Sequence, residues 1–497
     1  MRTAAARFAA LLAIAYLASA AAVVASSPWF KWNELRLSCV AGLLEGYSLY
    51  ATPESGPILG WIYPPLAALF YLPAALIANP ARAVVAGSLI AASCATAPAA
   101  WLHFRRSERE RFGLASCWIA FSSFGIFTTT LLALRYSCYA VHVDAPALGA
   151  VALACGVLSE WLGTGRGGRS VAPLRDGWTA WRGLAIAAGS AALAVACKQT
   201  LLPVIVVLAL WVAIERGGRA AAVFGAVATS TLALLIVALG AWLGYRGMWL
   251  NAVEIPRRHP LEWGHGDLAT HALIPAIGCF IVLGTAWIRP RLRDRADYHR
   301  WLPLVAVGIA LVPSALLSRA KHGGDVNSYS LFLYFFALAA SLELKSVLVP
   351  IWSRASISRV VRLATLAALA ALAAGGLAIA YQQGVTTVLT EPSPIARALD
   401  LERAQANGIY FPYHPLVMLR IDGRLYHDSR AVSEWKVAGI QLPPARMTAD
   451  LPHRQRTIAM RDFESPRAYL GPLTPIAAPP GPVYDLKFFA QGSPPRR

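Results

Sequence analysis

The chain has 497 residues, of which 57% are hydrophobic and 14% are charged, and its mean hydropathy is +0.51. Soluble domains carry about 25% charged residues, so this composition excludes an ordinary soluble protein. The net charge of +19 comes mainly from Arg residues in short segments between apolar runs, which is the distribution that the positive-inside rule gives to membrane proteins. The sequence has no basic and aromatic platform for nucleic acid, so nucleic acid is not an expected partner.

Apolar runs of about 20 residues recur along the chain, and each is long enough to cross about 30 Å of hydrocarbon. They predict an all-α polytopic membrane protein with about eleven transmembrane helices. The first run is long for a signal peptide, so a retained span is expected. With the N-terminus inside, one topology puts every Arg-rich loop in the cytoplasm. The expected spans are about 8–27, 83–103, 114–134, 145–163, 184–196, 201–214, 220–244, a run ending at Arg289, 302–318, a run ending at Lys345, and 363–381.

Residues 28–82 are predicted to form the first extracytoplasmic loop of a transmembrane domain that covers 1–381. This loop contains an apolar stretch, Pro65–Ala78, which is shorter than a span and opens with two prolines. A re-entrant or surface helix therefore suits this stretch. Counting it as a span would put the Arg cluster that follows 83–103 on the outer side, against the positive-inside rule.

The tail from 382 to 497 is polar, rich in proline and lacks a spanning run. It is predicted to form a small extracytoplasmic C-terminal domain of mixed α/β structure. Short strands are expected at Ile409–Pro412 and Leu416–Leu419, and Asp422-Gly423 is a turn signal between apolar stretches.

Ionisable residues at the predicted outer ends of the spans form the candidate site. They mix carboxylates with cations, which suits transfer from a phosphate-linked donor. A carboxylate takes the proton of an acceptor hydroxyl, and fixed cations hold the phosphate and stabilise it as it leaves. Glu34 and Asp144 are the candidate catalytic carboxylates. The candidate substrate-binding residues are Asn33, Arg36, Arg135, Lys198, Lys321, His322, Asp325, Asn327 and Tyr329.

The first loop resembles that of GT-C glycosyltransferases, in particular the dolichyl-phosphate-mannose protein mannosyltransferases and the bacterial aminoarabinose lipid A transferases. The family pattern is an Asp-Glu pair after the first span, a Leu-x-x-Gly-x-x-Tyr segment, and Pro-Pro-Leu opening a juxtamembrane helix. Similar segments follow at Arg135–Asp144, at Lys198 and at 323–329, so the resemblance covers about residues 8–350. The first-loop segments here are Asn33-Glu34-Leu35-Arg36, Leu44-Glu45-Gly46-Tyr47-Ser48-Leu49-Tyr50 and Tyr63-Pro64-Pro65-Leu66.

This resemblance implies an inverting glycosyltransferase of the bacterial inner membrane. The donor would be a polyprenyl-phosphate sugar, and the acceptor would be a lipid, a glycan or a protein on the extracytoplasmic face, with membrane lipids around the spans. No cofactor is expected beyond this lipid-linked donor, no metal-binding residues are assigned, and use of a divalent metal stays open.

One departure from the family concerns the catalytic base. The family's pair is Asp then Glu, and the Asp is usually taken as the base, whereas this chain has Asn33 followed by Glu34. An amide is not a useful proton acceptor. Three alternatives follow: Glu34 is the base, the alignment is shifted by one residue, or Asp144 takes the role.

Structural interpretations of the same residues stand beside the catalytic ones. Glu34 fits a solvated loop carboxylate paired with Arg36, and Asp144 fits the N-cap of the fourth span. Lys198 fits a lysine that extends outward from a turn. Lys321 and His322 fit plain interfacial cations.

Two other functions are consistent with a polytopic chain. A transporter or flippase would use charges near the membrane midplane and broken helices. A non-catalytic assembly protein on a GT-C scaffold would explain Asn33. Because the ionisable residues fall at the outer ends of spans rather than in their middle, the sequence favours the transferase.

Overall fold

The computed structural model describes residues 2–163, 177–262, 266–287, 301–353, 358–404, 408–452, 457–461, 473–476 and 486–491. Two Arg-rich segments on which the predicted topology relies, at 164–176 and 288–300, lie outside these described residues. The chain divides into two compact units. Unit 1 comprises Met1–Ala25, Ala91–Ile236 and Leu261–Thr387, and unit 2 comprises Ser26–Ile90, Val237–Pro260 and Val388–Arg497.

Helices account for most of the described residues. Short 3-10 helices occur at Ser27–Trp29, Gln199–Leu201 and Val326–Tyr329, and π-helical turns at Leu250–Glu254, Ala269–Leu273 and Tyr381–Val388. The α-helices are α1 (Arg2–Ala25), α2 (Lys31–Leu44), α3 (Leu66–Phe70), α4 (Leu72–Ala75), α5 (Pro80–Phe104), α6 (Arg106–Phe112), α7 (Leu114–Thr130), α8 (Leu132–Tyr139), α9 (Asp144–Gly163), α10 (Gly177–Cys197), α11 (Leu202–Arg216), α12 (Gly218–Leu243), α13 (Tyr245–Trp249), α14 (Ile255–Arg258), α15 (Ile274–Trp287), α16 (Leu302–Ala320), α17 (Ser330–Ser353), α18 (Arg359–Ala380), α19 (Pro394–Ala404), α20 (Pro415–Asp422), α21 (Ser429–Val437) and α22 (Pro444–Ala449).

The membrane-spanning helices agree with the predicted spans. Within the described residues, eight helices are long and apolar enough to cross a membrane, or nine if α6 and α7, which are bent by 113° at Gly113, count as one span. Two further predicted spans fall on the shorter apolar helices Trp181–Cys197 and Ala269–Gly284. The prediction of an all-α polytopic membrane protein is therefore confirmed.

Unit 1 is a bundle of these helices. The segment Val326–Leu348 includes most of α17 and is the most buried of the candidate spans in the described residues. In its apolar stretch 83% of the residues are buried, against 39% in that of Leu302–Ala320. It packs on α7, α15 and α16. Small residues allow close approach elsewhere in the bundle, because a Cβ on Gly149 of α9 would collide with the Cys94 carbonyl oxygen of α5.

Unit 2 combines the first loop with the tail. A four-stranded sheet of order β1-β2-β4-β3 is formed by β1 (Ile409–Tyr410), β2 (Thr457–Arg461), β3 (Leu473–Ile476) and β4 (Leu486–Gln491). Strands β1 and β2 are parallel, and the other pairs are antiparallel. Helix α2 of the loop packs on α20 of the tail. The predicted domains, 1–381 and 382–497, divide the chain differently, because they separate the tail from the loop that it packs against.

Four local predictions are corrected or refined. The segment around Glu34, treated as a loop, begins helix α2. The predicted strand Leu416–Leu419 is wrong, since these residues lie in α20, where Pro415 occupies the first helical turn without needing an N–H partner. Gly423, expected in a turn, ends that helix in the left-handed conformation at φ 64°. The apolar stretch Pro65–Ala78 forms the two short helices α3 and α4, which are too short to span.

Candidate functional site

Glu34 lies in the first turn of α2 and is 2% exposed. His414 Nδ1 makes a short hydrogen bond with Glu34 Oε2, and the Val417 N–H donates to Oε1 at 3.2 Å. Val417 belongs to the first turn of α20, where backbone N–H groups lack partners within the helix. Glu34 therefore caps a helix that lies far away along the chain, and the helix N-terminus stabilises its negative charge. The alternative of a solvated loop carboxylate does not apply.

A small cavity adjoins this pair in unit 2. Its volume is about 10 Å³, which is about the space that one water molecule needs. Most of its walls are apolar. Its ionisable side chains are the Glu34 carboxylate, the His414 imidazole and the Tyr413 phenol. An imidazole backed by a carboxylate beside such a space is suited to receive a proton from one hydroxyl group. The lining residues are Pro28, Trp29, Phe30, Glu34, Pro394, Ile395, Tyr413 and His414.

Asn33 and Arg36, two predicted site residues close to Glu34 in the sequence, have structural contacts. Asn33 is 1% exposed, and its Nδ2 donates to the Ser27 carbonyl at 2.9 Å. This bond fixes the turn that precedes α2. The Arg36 guanidinium lies 5.6 Å from the centroid of the Trp32 ring, and Arg430 lies 4.6 Å from the same ring. Trp32 thus makes cation–π contacts with two arginines.

Asp144, the other predicted carboxylate, begins α9 in unit 1 and is fully buried. Lys198 forms a short ion pair with its Oδ1. Its Oδ2 accepts hydrogen bonds from Ser137 Oγ at 2.7 Å and from Asn327 Nδ2 at 3.0 Å, and His142 Nδ1 lies 2.9 Å away. The structure therefore brings together three of the predicted site residues. Their contacts compensate the cost of burying Asp144 and Lys198.

Arg135 lies on α8, two residues before Ser137 of the Asp144 cluster. Its side chain is largely withdrawn from water, and this burial lowers its pKa. Within the part of the chain that the structure describes, Arg135 makes no ion pair with a carboxylate. A guanidinium in this state presents a planar set of donors that matches an oxyanion such as phosphate.

The predicted residues after α16 form a separate group in unit 1. Lys321 pairs with Leu261 in an isolated β-bridge, and burial lowers the pKa of its ammonium. His322 Nδ1 lies 2.6 Å from Glu262 Oε1 at an exposed position. Asp325 accepts a hydrogen bond from the Val326 N–H at 2.7 Å and so caps the 3-10 helix that follows. Asp325 thus has a local structural contact.

Tyr329 lies in a neighbouring polar group. Its hydroxyl donates to Asp267 Oδ1 at 3.0 Å, and Arg319 donates from Nε and Nη2 to Oδ2 at 3.1 and 2.7 Å. Partial burial opposes ionisation of Asp267, but the bonds from Arg319 and Tyr329 outweigh it and lower the pKa of Asp267. Asp267 thus links Arg319 near the end of α16 to Tyr329, the residue before α17.

Sequence reasoning missed the role of His414 altogether. The segment Tyr413-His414-Pro415 carried a signal, because a proline at the start of an apolar run marks a helix N-terminus, and that helix places His414 on Glu34. Ser137 was also missed, since a lone serine in an apolar run has no distinctive spacing. Among the described residues, no group of three or more His, Cys, Asp and Glu side chains has the geometry to hold a metal ion.

Comparisons with known proteins give the fold but no sequence relative. No protein-family model and no curated protein sequence matches this chain. The structure is similar to the crystal structure of ArnT from Cupriavidus metallidurans bound to undecaprenyl phosphate, with a TM-score of 0.55 and 12% sequence identity over 96% of this chain and 98% of that one. The chain therefore shares the fold of that structure. At this identity the likeness shows the fold, and the chemistry has to be argued from the residues.

Proposed function

We propose that this protein is a membrane glycosyltransferase that moves a sugar from a polyprenyl-phosphate donor to a lipid, glycan or protein acceptor. The observation that carries the proposal is the GT-C fold along almost the whole chain, shared with a protein whose crystal structure contains undecaprenyl phosphate. The reaction would invert the anomeric carbon and take place on the extracytoplasmic face of the inner membrane.

The base chemistry is better supported at the Glu34 and His414 pair than at Asp144. All described contacts of Asp144 are with donors that saturate its two oxygens, and it is inaccessible to solvent. Glu34 instead borders a cavity that has room for one hydroxyl group. We therefore assign Asp144 a positioning role toward Lys198 and Asn327, and we assign the proton transfer to the Glu34 group.

Within unit 1, considered by itself, Arg135 is the best supported of the predicted cations as a group that binds an anion. Lys198 is committed to Asp144, and His322 faces Glu262. Arg135 is partly buried without a carboxylate partner among the described residues, so an anionic ligand would offset the cost of its burial.

The experiment is a transfer assay with the purified protein in nanodiscs, a panel of radiolabelled undecaprenyl-phosphate sugars, and a membrane extract as acceptor. Wild-type protein should transfer label, and Glu34→Gln should lower the rate by roughly 10²–10⁴-fold while folding is kept. Glu45→Gln is the matched control, because Glu45 also contacts the tail, through Arg420 at 3.4 Å, but its side chain is 48% exposed. Its rate should stay near that of the wild type.

Each other outcome has a defined meaning. If the wild type binds the donor saturably but transfers no sugar, the proposed enzymatic activity is wrong, and the result indicates a non-catalytic GT-C scaffold. Movement of intact donor across the bilayer without transfer would indicate a flippase. Transfer that is unchanged in Glu34→Gln would keep the enzyme and remove Glu34 from its mechanism.

A further inference from the structure

We propose that His414 is the group that accepts the proton of the acceptor hydroxyl, and that Glu34 positions it. This inference rests on the proposed function and names a residue of the tail that the first-loop resemblance does not reach. It starts from the short hydrogen bond between His414 Nδ1 and Glu34 Oε2 at the edge of the unit 2 cavity.

Glu34 is poorly placed to take the proton itself. One oxygen is engaged by His414 and the other by the Val417 N–H at 3.2 Å, and the residue is 2% exposed. These contacts suit a carboxylate that orients a neighbouring side chain.

His414 has the second nitrogen that the chemistry needs. The hydrogen bond to Glu34 keeps the neutral ring's proton on Nδ1, so the lone pair lies on Nε2. Within the described residues no hydrogen bond engages Nε2, and the His414 side chain lines the cavity. A Glu that orients an imidazole in this way is the arrangement that activates hydroxyl groups in many enzymes.

The proton transfer is balanced by the reaction that the proposed function supplies. The acceptor oxygen forms a bond to the anomeric carbon as the bond from that carbon to the phosphate oxygen breaks. Polyprenyl phosphate leaves with the electron pair, and the hydroxyl proton goes to His414 Nε2. The Glu34 carboxylate stabilises the resulting imidazolium and remains ionised, and the proton then returns to water.

This assignment also gives a physical reason for the departure at position 33. Asn33 is buried and holds the Ser27 carbonyl, so it contributes to the turn rather than to proton transfer. The imidazole from the tail supplies the proton acceptor that Asn33 cannot.

The decisive variant is His414→Asn. The Asn amide can donate to Glu34 from the place of Nδ1, but it has no proton acceptor in the place of Nε2. We expect kcat to fall by roughly 10²–10⁴-fold with little change in the KM for donor. His414→Ala should be inactive and should regain part of its activity when imidazole is added, because imidazole can occupy the space left beside the cavity. A purely structural role would not produce this rescue.

The matched control is His427→Asn. His427 is another buried histidine of the tail, and its Nδ1 accepts from the Ile58 N–H at 2.9 Å, but it does not line the cavity. Its transfer rate should remain near that of the wild type.

The outcomes separate this inference from the function on which it rests. If the wild type transfers no sugar, the proposed function fails and the base assignment fails with it. If the wild type is active and His414→Asn keeps its kcat, His414 is not the base while the enzyme stands. If His414→Asn does not fold, absence of imidazole rescue in folded His414→Ala overturns the assignment.

Discussion

Each unit of this protein buries one of the two carboxylates that the sequence singles out, and their surroundings differ. In unit 1, Asp144 is paired with Lys198 and accepts hydrogen bonds from Ser137 and Asn327, with no exposed surface. In unit 2, Glu34 is hydrogen-bonded to one imidazole and one backbone N–H, and it borders a cavity. Burial of the two carboxylates is nearly equal, and Glu34 adjoins a space of about the volume of one water molecule.

This difference separates a carboxylate that holds helices together from one that orients a neighbouring imidazole. A carboxylate whose donors come from several helices holds those helices in place, and its removal leaves the donors unpaired. A carboxylate that holds one imidazole beside a cavity can act on whatever occupies that cavity. The comparison predicts that changes at Asp144 affect stability first and changes at Glu34 affect transfer first.

The largest effect on stability is expected at Asp144. Asp144→Asn leaves the Lys198 ammonium buried without a counter-charge, so unit 1 should lose about 3–5 kcal/mol. Hydrogen exchange of the α9 amides would measure this loss as an increased opening rate. Adding Lys198→Gln in the same chain should restore part of the protection, because it removes the uncompensated charge. If the α9 amides of the double variant exchange as fast as those of Asp144→Asn alone, the uncompensated charge of Lys198 is not the cause of the lost stability.

A third buried carboxylate, Asp428, extends the comparison to pH. It caps α21, its Oδ1 accepts from the Arg430 N–H at 2.8 Å, and burial raises its pKa from 3.8 to about 7. Because the pKa is higher in the folded state, this group makes unit 2 progressively less stable as pH rises from about 4 to 7. Asp428→Asn keeps a good helix cap without the charge. It should therefore be more stable than the wild type at pH 8 by roughly 2–4 kcal/mol, and similar at pH 4.

Exchange of the α21 amides at both pH values, corrected for intrinsic rates, measures this effect. Asp400→Asn is the control, since the Asp400 side chain is 75% exposed. Equal protection of wild type and Asp428→Asn at pH 8 would show that the buried carboxyl group does not oppose folding.

A smaller effect is expected at Asp267, whose side chain is 20% exposed. Asp267→Asn removes the negative charge that faces Arg319 and one of the two acceptor oxygens, so the α16 and α17 connection should lose about 1–2 kcal/mol. Folding lowers the pKa of the Asp267 carboxyl group. The ionised carboxylate therefore stabilises the folded state at pH values above the ordinary carboxyl pKa, and this stabilisation is lost as the pH falls through the lowered pKa. Proteolysis near Gly323 at neutral and acidic pH would test this. If wild type and Asp267→Asn are cleaved at the same rate at neutral pH, this prediction is contradicted.

Local patterns and topology bring some of the predicted residues together without testing their role. Lys198, Asn327 and Asp144 were grouped because topology put them at the same predicted ends of spans, and the structure joins them by hydrogen bonds. Lys321 and His322 were grouped on the same argument, yet the structure gives His322 a separate partner in Glu262. The side of the membrane on which a residue is predicted to lie restricts which residues can share a surface. It does not specify which side chains contact each other.

The sequence by itself determined the membrane class, the helical spans and the resemblance to GT-C enzymes, because hydrocarbon thickness and the cost of unpaired backbone groups leave few alternatives for long apolar runs. Only the tertiary structure decided that His414 meets Glu34, since the two are 380 residues apart and no local pattern encodes a contact at that separation. It also decided that Asp144 is saturated with donors while Glu34 borders a cavity, because the number of partners around a buried charge depends on how distant helices pack.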